Sequence, residues 1–147
     1  MNNIKIRAPR TEQEWQRYYE LRWRILRAPW QQQGPDRDAT DDSSIHRMLS
    51  QANGCVLAVG RLHRVDNANA QIRFMAVDAD QQHRGYGTLL LQSLEQVAMD
   101  MSLNTVILQA RENAVPFYRH QGYNMVEKSF LLFDEIQHYL MKKTRHF

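Results

Sequence analysis

One cysteine, six glycines and four prolines in 147 residues leave this sequence few of the usual structural staples. A lone thiol, Cys55, closes no internal disulfide, so folding in a reducing compartment is expected. With no base beside it in sequence, Cys55 reads as a buried strand residue and not as a nucleophile. No apolar run approaches the roughly 18 residues that a bilayer span requires, so no membrane association is expected. The opening "MNNIKIRAPRTEQEW" has no apolar core of signal-peptide length, which makes the cytoplasm the expected location. Charge of one sign is also scarce in blocks. The 19 basic side chains exceed the 16 acidic ones by three, and they form no run of five or six. That excess allows a local anionic site but does not demand a polyanion, so nucleic acid is not an expected partner. Six histidines are present, yet none is paired at the i, i+4 spacing of a helical zinc motif, and no metal is expected.

What is present is an ordinary globular balance, 43% apolar and 24% charged, in a chain long enough for one core. Residues 1–147 therefore read as one domain, without repeats or an internal linker. "NIKIR" (Asn3–Arg7) alternates as a short strand. Thr11 and Glu14 stand at capping-box spacing before a helix carrying Trp15, Tyr18, Arg22, Ile25 and Leu26 on one face, with Pro29 as its stop. "QQQGPDRDATDDSS" follows as a polar loop. Asn53-Gly54 predicts a two-residue hairpin turn, and Asp66–Asn69 the next turn. Gln71–Val77 forms a third long strand, Gly87–Met101 an amphipathic helix and Asn104–Ala110 a strand apolar enough to be covered on both faces. A short helix ends at Gly122, and two strands finish the chain. The result is an α/β class fold, a mixed sheet of six or seven strands flanked by helices. The unit Gln71–Ala110 is expected as a parallel, right-handed crossover.

The stretch Gln82-His83-Arg84-Gly85-Tyr86-Gly87 joins an apolar strand to an amphipathic helix. Leu90 stands where a dinucleotide fingerprint needs a small residue, and no Gly-Lys-Ser/Thr follows, which excludes a Walker loop. Free amides at a helix start, on residues without bulky side chains, form a cradle for phosphate oxygens, and Arg84 adds charge at its edge. Downstream, "NAVPFYRHQGY" places Asn113, Phe117, Tyr118, Gly122 and Tyr123 after the second apolar strand.

With these two motifs in order, the chain resembles the GNAT superfamily of acyl-CoA-dependent N-acyltransferases. Val77, Gln82, Gly85 and Gly87 match its V-x-P-x-x-Q/R-x-x-G-x-G/A motif, and Asn113, Phe117, Tyr118, Gly122 and Tyr123 match its later one. The likeness runs from Ile4 to Lys143. "LRWRILRAPW", "IRFMAV", "QAREN" and the spacing from His138 to Met141 are similar to the small ElaA-like branch. The chain departs from the pattern at Ala79, where the family has proline, at Tyr86, and at Asp134–Ile136, which lacks a glycine.

The resemblance implies a GNAT-type fold and acetyl-CoA, or another acyl-CoA, as co-substrate. It implies that amides of His83, Arg84, Gly85, Tyr86, Gly87 and Thr88 hold the pyrophosphate, with Gln82 in the same turn. Backbone groups of Met75, Ala76 and Val77 would take the pantetheine arm as an added strand, Asn113 would hydrogen-bond the arm, and Phe117 and Tyr118 would also contact the coenzyme. Tyr118 is the expected general acid for the thiolate leaving group, since a phenol of ordinary pKa near 10 is a neutral donor at pH 7. Candidates for the base are His138, His46, Glu112, Asp36, Asp38, Asp41 and Asp42, which spacing does not rank. His138 is carried forward as base or acceptor-site residue. Arg22, Arg24 and Arg27 with Trp23 and Trp30 either line the acceptor site or form a solvated face. The expected acceptor is a small-molecule or peptide amine, and a homodimer is a further expectation of the superfamily. The rival readings are a non-catalytic acyl-CoA-binding module and a small RNA-binding protein using the Arg/Trp surface.

Overall fold

The computed structural model of the protein describes residues 3–30 and 40–145, with Trp30 as backbone only. Seven strands and three helices run in the order β1 (Ile4–Arg7), α1 (Glu12–Leu26), β2 (Ile45–Gln51), β3 (Val56–Arg64), β4 (Asn69–Val77), α2 (Tyr86–Asp100), β5 (Thr105–Arg111), α3 (Val115–His120), β6 (Asn124–Leu132) and β7 (Ile136–Thr144). They form one mixed sheet, ordered β1-β2-β3-β4-β5-β7-β6. Every neighbouring pair is antiparallel except β4 and β5, which α2 joins as a parallel unit.

The expected capping box starts α1. Thr11 Oγ1 accepts from the Glu14 amide at 3.1 Å while the Glu14 carboxylate accepts from the Thr11 amide at 3.3 Å. Glu14 also receives the Arg7 guanidinium from β1, which with these backbone donors holds its carboxyl at about 2. The helix ends at Leu26, and Pro29 falls in the 3-10 turn Ala28–Trp30 that follows, because proline has no amide to continue the ladder.

Neighbouring residues on β2 separate the two layers. Met48 packs with Tyr18 and Leu21 of α1, whereas Leu49 packs with Leu90, Leu91 and Leu94 of α2. Alternate strand residues face opposite sides, so α1 and α2 cover opposite faces of the sheet. The α2 face is not wholly apolar. Buried Glu95 accepts from the Tyr123 hydroxyl at 2.8 Å, Lys143 Nζ at 3.1 Å and Arg145 Nη2 at 3.2 Å.

Two local expectations are corrected. The β2–β3 connection spans Ala52–Cys55 rather than two residues, because the Asn53 carboxamide accepts the Cys55 amide at 3.0 Å and widens the turn. Cys55 is exposed on that connection, ahead of β3, and is not a buried strand residue.

The feature that shapes the working face lies in β4. Val59 opposes Ala76 and Arg61 opposes Arg73, so Phe74 and Met75 together face Gly60 alone, a β-bulge. Phe74 adopts φ +53°, left-handed for a residue with a bulky side chain. Pairing of β4 with β5 stops at Ile72 opposite Leu108, one residue before Arg73, and the two parallel strands diverge beyond it. Beside the bulge, Asp41 receives Arg22 Nη1 at 3.2 Å and Arg61 Nη1 at 3.0 Å, all three buried. The two guanidinium carbons lie 4.0 and 4.9 Å from the Phe74 ring centroid, an attraction that favours the strained backbone. Arg22 is therefore a core residue and neither lines an acceptor site nor belongs to a solvated face.

Removing the carboxylate while keeping both cations buried should be costly. Asp41→Ala is expected to lose about 3–5 kcal/mol of stability, read from urea denaturation at neutral pH. A loss within about 0.5 kcal/mol, the size of an ordinary surface change, would show that the cluster does not hold the bulge.

Candidate active site

The divergence of β4 and β5 opens a cleft of about 840 Å³, bordered by the end of α1, the start of α2 and α3. Its floor at one end is the turn Gln82–Thr88. His83 at φ +66° and Gly85 at φ +85° bracket Arg84, and Gly85 caps α2 without any side-chain hydrogen bond. The amides of Tyr86, Gly87 and Thr88 thus begin a 15-residue helix with no side chain satisfying them. Such a helix start favours an anion by both hydrogen bonding and dipole.

The two glycines serve different needs. A Cβ on Gly85 would meet nothing within 4 Å, so glycine is required there by its left-handed backbone. A Cβ on Gly87 would lie 3.4 Å from both Phe117 Cζ and Val77 Cγ2, already in van der Waals contact, so a branched side chain there would press on both. Gln82 Nε2 reaches the Val77 carbonyl at 3.4 Å, and Gln121 Nε2 donates to Thr88 Oγ1 at 3.0 Å, tying the turn to β4 and to α3. His83 and buried Tyr86 line the cleft, whereas Arg84 is exposed and does not.

Met75, Ala76 and Val77 run along the cleft wall. Ala76 and Val77 pair with Val59 and Ala58 of β3, and past Ile72 the opposite edge of β4 is unpaired. It is an edge that an extended ligand extends as an added strand. Across from it stand Asn113, Phe117 and Tyr118. The short helix α3 is closed by Gly122 at φ +96°, with Gly122 N bonded to the Arg119 carbonyl and Tyr123 N to the Tyr118 carbonyl, each at 3.0 Å. This fixes Tyr118 between Phe117 and Tyr123, whose rings meet it edge-on at 5.1 and 5.8 Å. Burial pushes the Tyr118 phenol up to about 12. Its hydroxyl donates to Met75 Sδ at 3.6 Å, a weak acceptor that a charged sulfur readily outcompetes.

A second cavity, about 460 Å³, shares Leu26, Met75, Arg111, Ala114 and Tyr118 with the first. It extends toward the β6–β7 hairpin and holds His138, which β7 places opposite Arg111 of β5. His138 Nδ1 lies 3.0 Å from the Ile136 carbonyl, and its ring stacks on Phe130 at 4.3 Å. A carbonyl only accepts, so Nδ1 carries the hydrogen and Nε2 the lone pair. Burial, then the charges of Arg111 and Arg73, push the imidazole below its ordinary value.

The other described base candidates, His46, Glu112, Asp41 and Asp42, line neither cavity. Both ring nitrogens of buried His46 are engaged, Nδ1 with the Tyr18 hydroxyl at 2.7 Å and Nε2 with the Asp41 carbonyl at 2.8 Å. Asp41 is held in the buried cluster, Asp42 is exposed, and exposed Glu112 accepts from Tyr139 at 3.4 Å. Asp36 and Asp38 lie outside the described residues. Arg24 lines the larger cleft, paired with Asp78 and Glu20, while Arg27 lines the smaller cavity. Trp23 is exposed, and the side chain of Trp30 lies outside the description.

Residues 15–123 match the family model of the GNAT acetyltransferases. The chain belongs to the GNAT family. A UPF0039 protein of Schizosaccharomyces pombe is 34% identical over 110 residues, 74% of this chain and 73% of its own. Among solved structures, Escherichia coli ElaA superposes with a TM-score of 0.81 at 17% identity, over 97% of this chain and 99% of that one. A GNAT family acetyltransferase of Elizabethkingia anophelis with acetyl-CoA bound superposes with a TM-score of 0.74 at 15% identity, over 97% of this chain and 99% of its own.

The residues of this GNAT chain fit such a coenzyme. The uncapped α2 start suits a pyrophosphate, the free β4 edge suits an amide-bearing arm, and the sulfur-facing phenol lies beyond them. No cluster of three metal-ligating side chains occurs among the described residues, and no described helix is long and apolar enough to cross a membrane. Sequence reasoning missed Arg73, Phe130 and Phe133 of the smaller cavity. Strand register and the hairpin bring them there, and no local motif signals it.

Because a valine branch at Gly87 must displace Phe117 or Val77, Gly87→Val is expected to weaken acetyl-CoA binding about 100-fold, roughly 2.7 kcal/mol. Calorimetric titration measures this, with circular dichroism showing the fold retained. Unchanged affinity in a folded variant would remove the turn from coenzyme binding.

Proposed function

We propose that this GNAT protein transfers an acyl group from acetyl-CoA directly to a primary amine, with no acyl-enzyme. The observation that carries this reading is Tyr118: its phenol belongs to the shared wall of a coenzyme-sized cleft and a second cavity containing a neutral histidine. When bound, acetyl-CoA supplies a thioester whose acyl carbon accepts the amine lone pair.

The amides of His83–Thr88 bind the pyrophosphate, and the free edge of Met75–Val77 binds the arm, with an amide there donating to the thioester carbonyl. A fixed donor of this kind lowers a barrier by roughly 3 kcal/mol. Asn113 hydrogen-bonds the arm. Tyr118 exchanges Met75 Sδ for the coenzyme sulfur and gives it a proton as it leaves. A phenol held at about 12 stays protonated throughout the working range, so donor capacity is not lost at alkaline pH. His138 Nε2 takes the proton from the amine. The same Arg73 and Arg111 charges that depress His138 also disfavour the ammonium form of a bound amine, which eases that transfer.

Tyr118→Phe is expected to lower kcat about 100-fold, the range of general-acid removal, with little change in acetyl-CoA affinity. Equal turnover would exclude the phenol from the chemistry. For His138 the active form is the neutral one. Its folded pKa is below the ordinary 6.5 or so, so kcat should fall only as pH drops through a midpoint under that value. No decline is expected on the alkaline side up to about pH 10, since Tyr118 titrates near 12. His138→Gln should abolish the acid limb and lower the plateau; a retained limb would assign it elsewhere. Acetyl-CoA binding without CoA release across an amine panel would instead mark a non-catalytic acyl-CoA-binding module.

A further inference from the structure

A second β-bulge borders the smaller cavity. Lys128 of β6 opposes Tyr139 and Leu131 opposes Gln137, so Ser129 and Phe130 together face His138 alone. Side chains hold this irregularity in place. Gln137 Nε2 donates to the Phe130 carbonyl at 3.1 Å and to the His138 carbonyl at 3.0 Å. The Ser129 hydroxyl donates to the Gln109 carboxamide of β5, on the other side of β7. The Phe130 ring thereby lies flat against the imidazole, their planes 12° apart and their centroids at 4.3 Å. Phe130 is 42% exposed and His138 only 5%, so the phenyl ring covers the imidazole instead of filling the core.

The Ile136 carbonyl selects the orientation of the imidazole but does not hold its plane. Its single bond from Nδ1 chooses between the two wells of the ring torsion, and each well is broad. Tilting the ring bends that bond, and a hydrogen bond weakens steeply as its angle closes. Once it is lost the hydrogen moves to Nε2, where an unpartnered imidazole preferentially carries it. A protonated Nε2 in the neutral ring has no lone pair for an amine proton. A flat neighbour at stacking distance removes the freedom to tilt. Resting on the acyltransferase reading with His138 as base, we propose that Phe130 is a positioning residue. The β6 bulge lays it on His138, so that Nδ1 stays on the Ile136 carbonyl and Nε2 stays the basic nitrogen.

The test reads the His138 tautomer from the nitrogen chemical shifts of the histidine-labelled full chain, with His138→Gln to assign the signal. At about pH 8 the imidazole is neutral, since its folded pKa lies below the ordinary 6.5 or so. The wild type is expected to hold the hydrogen on Nδ1. Phe130→Ala should lower the ratio of Nδ1–H to Nε2–H about tenfold, the worth of one hydrogen bond. Phe130→Leu, which keeps apolar bulk without a flat face, should do the same, and Phe130→Tyr should keep the wild-type ratio. Circular dichroism shows which variants fold, and either Phe130→Ala or Phe130→Leu suffices. Turnover, read as CoA release with the most active amine of a panel, should fall several-fold in both, with acetyl-CoA affinity unchanged. An unchanged ratio in a folded Phe130→Ala or Phe130→Leu protein, a wild type with the hydrogen on Nε2, or its loss from Nδ1 in Phe130→Tyr overturns the proposal. The tautomer is read without turnover. A Phe130-dependent tautomer in a protein that releases no CoA with any amine therefore fails the acyltransferase reading and not the placement of His138.

Discussion

A guanidinium leaves water only where anions and acceptors replace its hydration, and here two of them, Arg22 and Arg61, converge on Asp41 beside a phenylalanine in a left-handed conformation. Tyr19 adds a hydroxyl to the same carboxylate at 2.7 Å, and Ser44 and Thr40 each accept from Arg61 at 2.8 Å. The cluster sits under the β4 bulge, where Phe74 and Met75 share one partner. The bulge is where β4 leaves β5. Both cavities lie against that separation, and Met75, the second bulged residue, belongs to both. Burying charge is seldom a cheap route to stability, and here its consequence is the geometry of the site.

Around that opening, burial acts in opposite directions on two neutral groups. It raises a phenol and lowers an imidazole, because in each case it penalises the charged form. A proton donor and a proton acceptor are thereby both held neutral near pH 7, on different strands and helices of one wall. Sulfur contact at Tyr118 and the Ile136 carbonyl at His138 set their orientations before any ligand arrives. The two cavities then differ in their lining: three arginines border the smaller, while an uncapped helix start borders the larger.

Much of this was legible in the residues where the physics is local. The capping box of Thr11 and Glu14 acts over three residues. The stretch from Gln82 to Thr88 is a single turn, and its backbone angle dictates Gly85. The order of elements along the chain followed from apolar periodicity, and the parallel β4–β5 unit from the crossover rule for strand–helix–strand units. Where partners are distant in sequence the reading failed. Arg22 read as either an acceptor-site residue or part of a solvated face, yet it pairs in the core with Asp41, 19 residues on. Glu95 interrupts an apolar helix face because Tyr123, Lys143 and Arg145 arrive from the other end of the chain. Seven base candidates were indistinguishable by spacing.

By itself the sequence determined the turn chemistry, the element order and the two motifs of the GNAT family, since each depends on residues a few positions apart. Only the tertiary structure separated His138 from His46. One ring has both nitrogens engaged beneath α1, and the other turns an unprotonated nitrogen away from its carbonyl partner in a cavity. It likewise decided that Arg27, Arg73 and Arg111 meet, because strand register and the bulge set which side chains share a wall, and charge acts through space along that wall rather than along the chain.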